Sequence, residues 1–152
     1  MTPPSTDSDL PGRILVVDDE AAVADVFRDF LTLIGGHEVE TRPSGQAAIE
    51  AFNTFRPDVV LTDLNLDAAM SGLDLMRGLK ALDPDLPVIL VTGQVSIQSA
   101  IAALREGAYD YITKPCDLEE LGQLLGRALA SRRLTETNRN LMSELTVANE
   151  IL

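Results

Sequence analysis

The chain has 152 residues, 45% of them hydrophobic, with 24 Asp+Glu against 12 Lys+Arg and a formal net charge of -12. That length fits one ordinary domain with a short remainder, and the apolar content excludes wholesale disorder. The acidic balance argues against a surface that grips nucleic-acid phosphates or anionic lipid, while one cysteine (Cys116) and one histidine (His37) exclude a disulfide framework and a zinc site.

The first segment, residues 1–11, is rich in Pro, Ser, Thr and Asp and reads as a flexible tail. It lacks the basic and apolar regions of a signal peptide. No apolar run approaches the ~20 residues that span a bilayer. A soluble, cytosolic protein is expected.

Five short β-rich runs then alternate with segments of helical period. The runs are 13–17, 37–41, 58–62, 87–91 and 109–112. The first, third and fourth are continuously apolar, as parallel strands covered on both faces are; the second alternates like an edge strand. Ala22, Val23, Val26, Phe27, Phe30 and Leu31 keep the i, i+3, i+4 spacing of a helix. Ser44 reads as the N-cap of a second helix through Phe52. A third carries Leu73, Leu75, Met76 and Leu79 and stops before Asp83-Pro84; a fourth runs from Ile97 to Gly107. Asp117 and Glu120 resemble a capping box opening a fifth. Five βα units with short links predict a doubly wound, five-stranded parallel α/β sheet with helices on both faces.

In such a sheet ligands sit beyond the carboxyl ends of the strands. There the chain places Asp18-Asp19, Asp63, Thr92 and Lys114-Pro115. If strands one and three are neighbours, three carboxylates share one rim. Like charges that close disfavour one another unless a cation intervenes, and such a set suits Mg²⁺, a hard ion that prefers oxygen ligands. Asp63 is then free as a nucleophile, with Thr92 and Lys114 as donors to phosphoryl oxygens. These are the parts for phosphoryl transfer to a carboxylate.

Asp18-Asp19 after LVV, Asp63 after VVLT, Thr92-Gly93 after VILV, and GAYDYITKP ending at Pro115 together resemble the receiver domain of bacterial response regulators, over roughly residues 12–130. The resemblance implies a flavodoxin-like fold of strand order 2-1-3-4-5 and Asp63 as phosphoacceptor. It implies Mg²⁺ held by Asp19, by Asp18 through water, by Asp63 and by the backbone carbonyl of Asn65. Lys114 would pair with the phosphoryl group, Thr92 would move toward it and Tyr111 would turn inward. A cis Lys114-Pro115 bond is also implied. One departure stands out. From Asp63 to Gly72 the loop is one residue longer than the family pattern and has Asp67 where proline is usual, which predicts a more acidic and less rigid loop.

Weaker features have plainer readings. Glu20 reads as a first-turn acid, His37 as a surface residue on an edge strand, and Cys116 as structural or incidental. Thr92 taken alone would be a strand-end hydroxyl bonded to its own backbone, and Tyr111 half-buried core.

Helical composition continues beyond Ala130 to the last residue, so residues 131–152 read as a helical linker. Leu134, Asn138, Leu141, Leu145, Ala148 and Leu152 alternate by four and three, a heptad seam for a coiled coil. Asn138 on that seam suits a parallel homodimer of fixed register.

The expected function is a receiver that takes phosphate from a histidine kinase or phosphotransfer protein onto Asp63 and signals through helix four, strand five and helix five to an output domain or partner. Asn65 and Gln94, each two residues past a rim position, are expected to tune dephosphorylation. A haloacid-dehalogenase-type phosphatase is the first alternative, but it needs Asp-x-Asp after strand one and room for a cap. A phosphorylation-independent module of the same fold is the second. A Rossmann nucleotide binder is disfavoured because no glycine-rich turn follows strand one.

Overall fold

The computed structural model describes residues 11–93 and 97–151, with side chains as far as residue 146 in the last helix. Its elements run β1 (Arg13–Val17), α1 (Ala21–Leu33), β2 (Glu38–Arg42), α2 (Gly45–Phe55), β3 (Val59–Asp63), α3 (Gly72–Leu82), β4 (Val88–Thr92), α4 (Ile97–Arg105), β5 (Asp110–Thr113) and α5 (Leu118–Ile151). The strands form one parallel sheet in the order β2-β1-β3-β4-β5.

Side-chain alternation along the strands builds two cores from one sheet. Ile14, Val16, Val59, Leu61, Ile89 and Val91 point to the face covered by α1 and α5, where they meet Phe27, Leu31, Leu121 and Leu125. Leu15, Val17, Val60, Val88 and Leu90 point the other way and pack against Phe55, Leu75, Met76 and Leu79 of α2 and α3. The central strands β3 and β4 are buried throughout, whereas β2 shows only partly buried or exposed residues, as its alternating sequence requires. Two helix starts are closed by serine hydroxyls. Ser44 Oγ accepts the Ala47 amide, and Ser71 forms a reciprocal capping box with Asp74.

Strands β2 to β5 begin one residue later than the apolar runs predict. Asp63 and Thr92 are therefore the last residues of their strands, so the sheet itself fixes their backbones.

His37 is a correction. It is only 8% exposed, not a surface residue. The turn after α1 folds it beneath the amino end of β1, where its Nδ1 accepts the Gly12 amide at 3.0 Å. Burial, with the nearby Arg133 charge, lowers its pKa.

The last helix runs unbroken from Leu118 to Ile151, straight across Ala130. Its first three turns belong to the core. Beyond them it is held by charge: Arg132 pairs with Asp83, with Nη1 to Oδ1 at 3.1 Å, and Arg139 pairs with Asp85. Both aspartates lie in the turn between α3 and β4. Leu134, Leu141 and Leu145 are each more than half exposed.

A neutral His37 is required by its Nδ1 acceptor role. Because its folded pKa is depressed, the unfolded chain takes up a proton first as pH falls through about 6.5, and stability present above that pH is lost below it. Urea midpoints for the wild type should fall between about pH 7 and pH 5.5, by no more than about 1.4 kcal/mol per pH unit from this group. His37→Gln, measured the same way, should flatten that slope.

Candidate functional site

The carboxyl edge of the sheet gathers the polar groups that follow β1, β3, β4 and β5. Asp18 directly follows β1, and its amide donates to the Arg42 carbonyl, prolonging the β1–β2 ladder. Its side chain is buried, with Oδ1 accepting the Glu20 amide at 2.9 Å. Asp63 closes β3, 6% exposed, with Oδ1 accepting the Asn65 amide at 3.0 Å. Between them lies Lys114, whose Nζ donates to Asp63 Oδ2 at 2.9 Å and to Asp18 Oδ2 at 3.2 Å.

Lys114 is aimed by its backbone. Its amide donates to the Thr92 carbonyl at 2.8 Å, continuing the β4–β5 pairing, and a cis bond joins it to Pro115. Burial works against its charge, but the hydrogen bond and charge of Asp63, helped by Asp18, outweigh that and raise its pKa. Burial likewise raises the pKa of Asp18, opposed by the Glu20 amide and by Lys114. The ammonium is thus fully charged at neutral pH and faces two inward carboxylates.

Thr92 is fully buried, and its hydroxyl donates to the Gly93 carbonyl at 3.0 Å. This matches the plain reading of a strand-end hydroxyl. Tyr111, on β5, packs half-buried against the core shared with α2 and α3. Cys116 is half-buried against the opposite core, where burial raises its thiol pKa.

Asp19 and Glu20 stay exposed beside Asp18, and ligand oxygens of all three lie within 4.8 Å of one another. Glu20 does not lie in the first turn of α1, where the sequence reading put it. It occupies the N-cap position, just before α1, in extended backbone with no capping hydrogen bond from its side chain. Its spacing from Asp18 gave no signal in sequence, because only the backbone turn brings the two together. Three clustered acids, with Asp63 at the end of the neighbouring β3 and Asn65 in the loop that follows it, are oxygen donors of the kind a hard divalent cation takes. Gln94 and Leu152 lie outside the described residues, as does the Ala148 side chain.

Gly72, at the start of α3, touches the site from behind. A Cβ there would come within 2.3 Å of the Asp63 carbonyl oxygen. Only glycine lets the helix approach the acceptor strand so closely.

A rim of this composition on a 2-1-3-4-5 sheet defines a receiver, and the comparisons with known proteins agree. The response regulator receiver domain family matches residues 14–126, and the chain belongs to that family. Regulatory protein AtoC of Escherichia coli (strain K12) is 35% identical over 136 residues, covering 90% of this chain and 29% of AtoC. Probable transcriptional regulatory protein TcrX of Mycobacterium tuberculosis is 39% identical over 142 residues, 93% of this chain and 59% of TcrX. The crystal structure of a response regulator receiver domain protein from Clostridium thermocellum superposes with a TM-score of 0.77 at 32% identity, covering 82% of this chain and 98% of that one. The chain thus spans less than two thirds of these curated relatives. It is a signalling domain of two-component regulation. Among the described residues no helix is long and apolar enough to cross a membrane.

Removing the central cation exposes what it balances. Lys114→Met should leave two buried carboxylates facing each other and cost about 3 kcal/mol at pH 7, the lower end for a broken buried pair because the lysine is partly exposed. Asp18 already has a raised folded pKa, and losing Lys114 raises it further. The deficit should therefore shrink as pH falls toward 5, where the folded state gains by protonating. Denaturant titrations of both proteins at pH 5 and pH 7 check it.

Proposed function

We propose that this domain accepts a phosphoryl group on Asp63 from the phosphohistidine of a sensor kinase or phosphotransfer protein. The observation that carries the reading is the buried Asp63 carboxylate, hydrogen-bonded by Lys114 and flanked by an acidic cluster able to hold a cation. An Asp63 carboxylate oxygen forms the new O–P bond while the N–P bond to histidine breaks, and the electron pair of that bond returns to the imidazole nitrogen. Asp18, Asp19, Asp63 and the carbonyl of Asn65 would hold Mg²⁺, which supplies charge neutralisation to the transferring oxygens. Lys114 then keeps its grip on the acceptor side of the phosphoryl group, exchanging a carboxylate partner for a phosphoryl oxygen.

Thr92 has a hydroxyl that can rotate from the Gly93 carbonyl to a new acceptor, and Tyr111 lies in the neighbouring strand to follow it. That is the basis for a relay through α4, β5 and α5. Asn65 and Gln94, two residues beyond Asp63 and Thr92 in the sequence, are assigned the orientation of the water that hydrolyses the aspartyl phosphate. The chain's acidity supports a soluble, cytoplasmic protein whose receiver part does not itself bind nucleic acid.

We divide the chain into a receiver at 12–130 and a helical linker at 131–152 that leads toward an output domain or partner. At about 100° per residue around a helix, Arg132 and Arg139 face the α3–β4 turn, while Leu134, Asn138, Leu141 and Leu145 lie roughly 140° around the axis. The receiver leaves this seam uncovered. Each leucine is worth roughly 1.5–3 kcal/mol when fully buried, which favours a parallel homodimer through the linker, with Ala148 and Leu152 extending its seam.

Incubation with a small phosphodonor and Mg²⁺, followed by intact-mass measurement, should add one phosphoryl group to the wild type and none to Asp63→Asn. Asp19→Ala should lose the modification while keeping its fold. A phosphorylated Asp63→Asn, or an unmodified wild type, refutes the acceptor reading.

Light scattering should report a dimer for the wild type and a monomer for Leu141→Glu/Leu145→Glu. A wild-type monomer refutes the seam.

A further inference from the structure

The segment between β3 and α3 departs most from the resembled pattern, and it borders Asp63 at both ends. On one side the Asn65 amide donates to the Asp63 carboxylate, while Leu64 and Leu66 are buried beneath it. On the other, Gly72 packs against the Asp63 carbonyl and donates its amide to the Leu64 carbonyl at 2.8 Å. The span between these anchors lacks the proline ring that would stiffen it.

Asp67 supplies the stiffening instead. Its Oδ1 accepts the amides of Ala69 at 3.0 Å and Met70 at 2.9 Å, and its own amide points back to the Met70 carbonyl at 3.4 Å. The carboxylate thus closes a loop within the loop. The closure holds Met70 over Gly45 at the start of α2, where even a Cβ would lie 2.4 Å from the thioether sulfur. With Met70 seated there, Ser71 caps α3 and Gly72 meets the acceptor strand. Asp67 does not belong to the acidic cluster of Asp18, Asp19 and Glu20, and its Oδ1 already serves two amides. Its role is therefore geometric.

We infer that Asp67 is a positioning residue for the site: its side-chain closure of the 67–70 turn sets the Asn65 backbone, and with it the carbonyl that would hold the cation, against Asp63. This inference rests on the Mg²⁺-dependent phosphoacceptor reading. An Asx turn thus stands where the resembled pattern has proline.

The test uses the full chain as wild type, Asp67→Ala and Asp67→Asn. Mg²⁺ affinity is measured by calorimetry, phosphorylation rate with a small phosphodonor by intact mass, and melting temperature in metal-free buffer. Asp67→Ala should weaken Mg²⁺ binding and slow phosphorylation by about tenfold, the low end for groups that orient a metal ligand, with the melting temperature close to wild type. Asp67→Asn keeps an acceptor oxygen and should stay within about twofold of wild type. Wild-type behaviour of Asp67→Ala overturns the inference alone. An Asp67→Asn as impaired as Asp67→Ala also overturns it, since charge and not the turn would then be at work. A wild type that neither binds Mg²⁺ nor gains a phosphoryl group overturns the functional reading and this inference with it.

Discussion

One ammonium group holds the functional edge together. Lys114 bridges Asp18 from β1 and Asp63 from β3, although its own strand, β5, is two positions away from β3 in the sheet. Two carboxylates drawn into so dry a place would otherwise repel each other and protonate. The bridge ties the ends of three strands into one constellation, and the parallel register of β1, β3, β4 and β5 delivers each partner. Lys114 can reach only because its amide continues the ladder to Thr92. Lys114 thus connects the Asp63 carboxylate to Asp18 through its side chain and to Thr92 on β4 through its amide.

Much of this was legible in the sequence because it depends on local signals. Continuous apolar runs marked the central strands, and the residues after them had to lie on the carboxyl rim. Asp63, Thr92 and Lys114 followed from that rule. The one-residue offset of the strands was not legible, because backbone pairing rather than side-chain character sets where a ladder begins. His37 was misread for a related reason. An isolated histidine in an alternating run looks solvated, and only the Gly12 amide, 25 positions away, makes its burial tolerable. Glu20 joined the acids through a backbone turn, and Asp67 became a turn-former through hydrogen bonds to amides that carry no residue identity.

The far edge of the domain shows the same limit. Asp83 and Asp85 sit in an ordinary helix-to-strand turn, and Arg132 and Arg139 in an ordinary helix. Nothing in either segment announces the other across 49 residues or more. Their pairing still matters, because it continues the attachment of α5 after its apolar face has run out. Part of the helix beyond Ala130 is thereby fastened by charge, while Leu134, Leu141 and Leu145 are left exposed on another side of it.

That arrangement makes α5 a lever with a defined fulcrum. From Arg139, the farther of the two arginine anchors, to Ile151 the helix reaches about 18 Å at a rise of about 1.5 Å per residue. A tilt of about 10° there would carry its far end by roughly 3 Å. Any tilt at that attachment would arrive at the end of the helix magnified. The rigidity of the unbroken helix, and not any further contact, sets the gain.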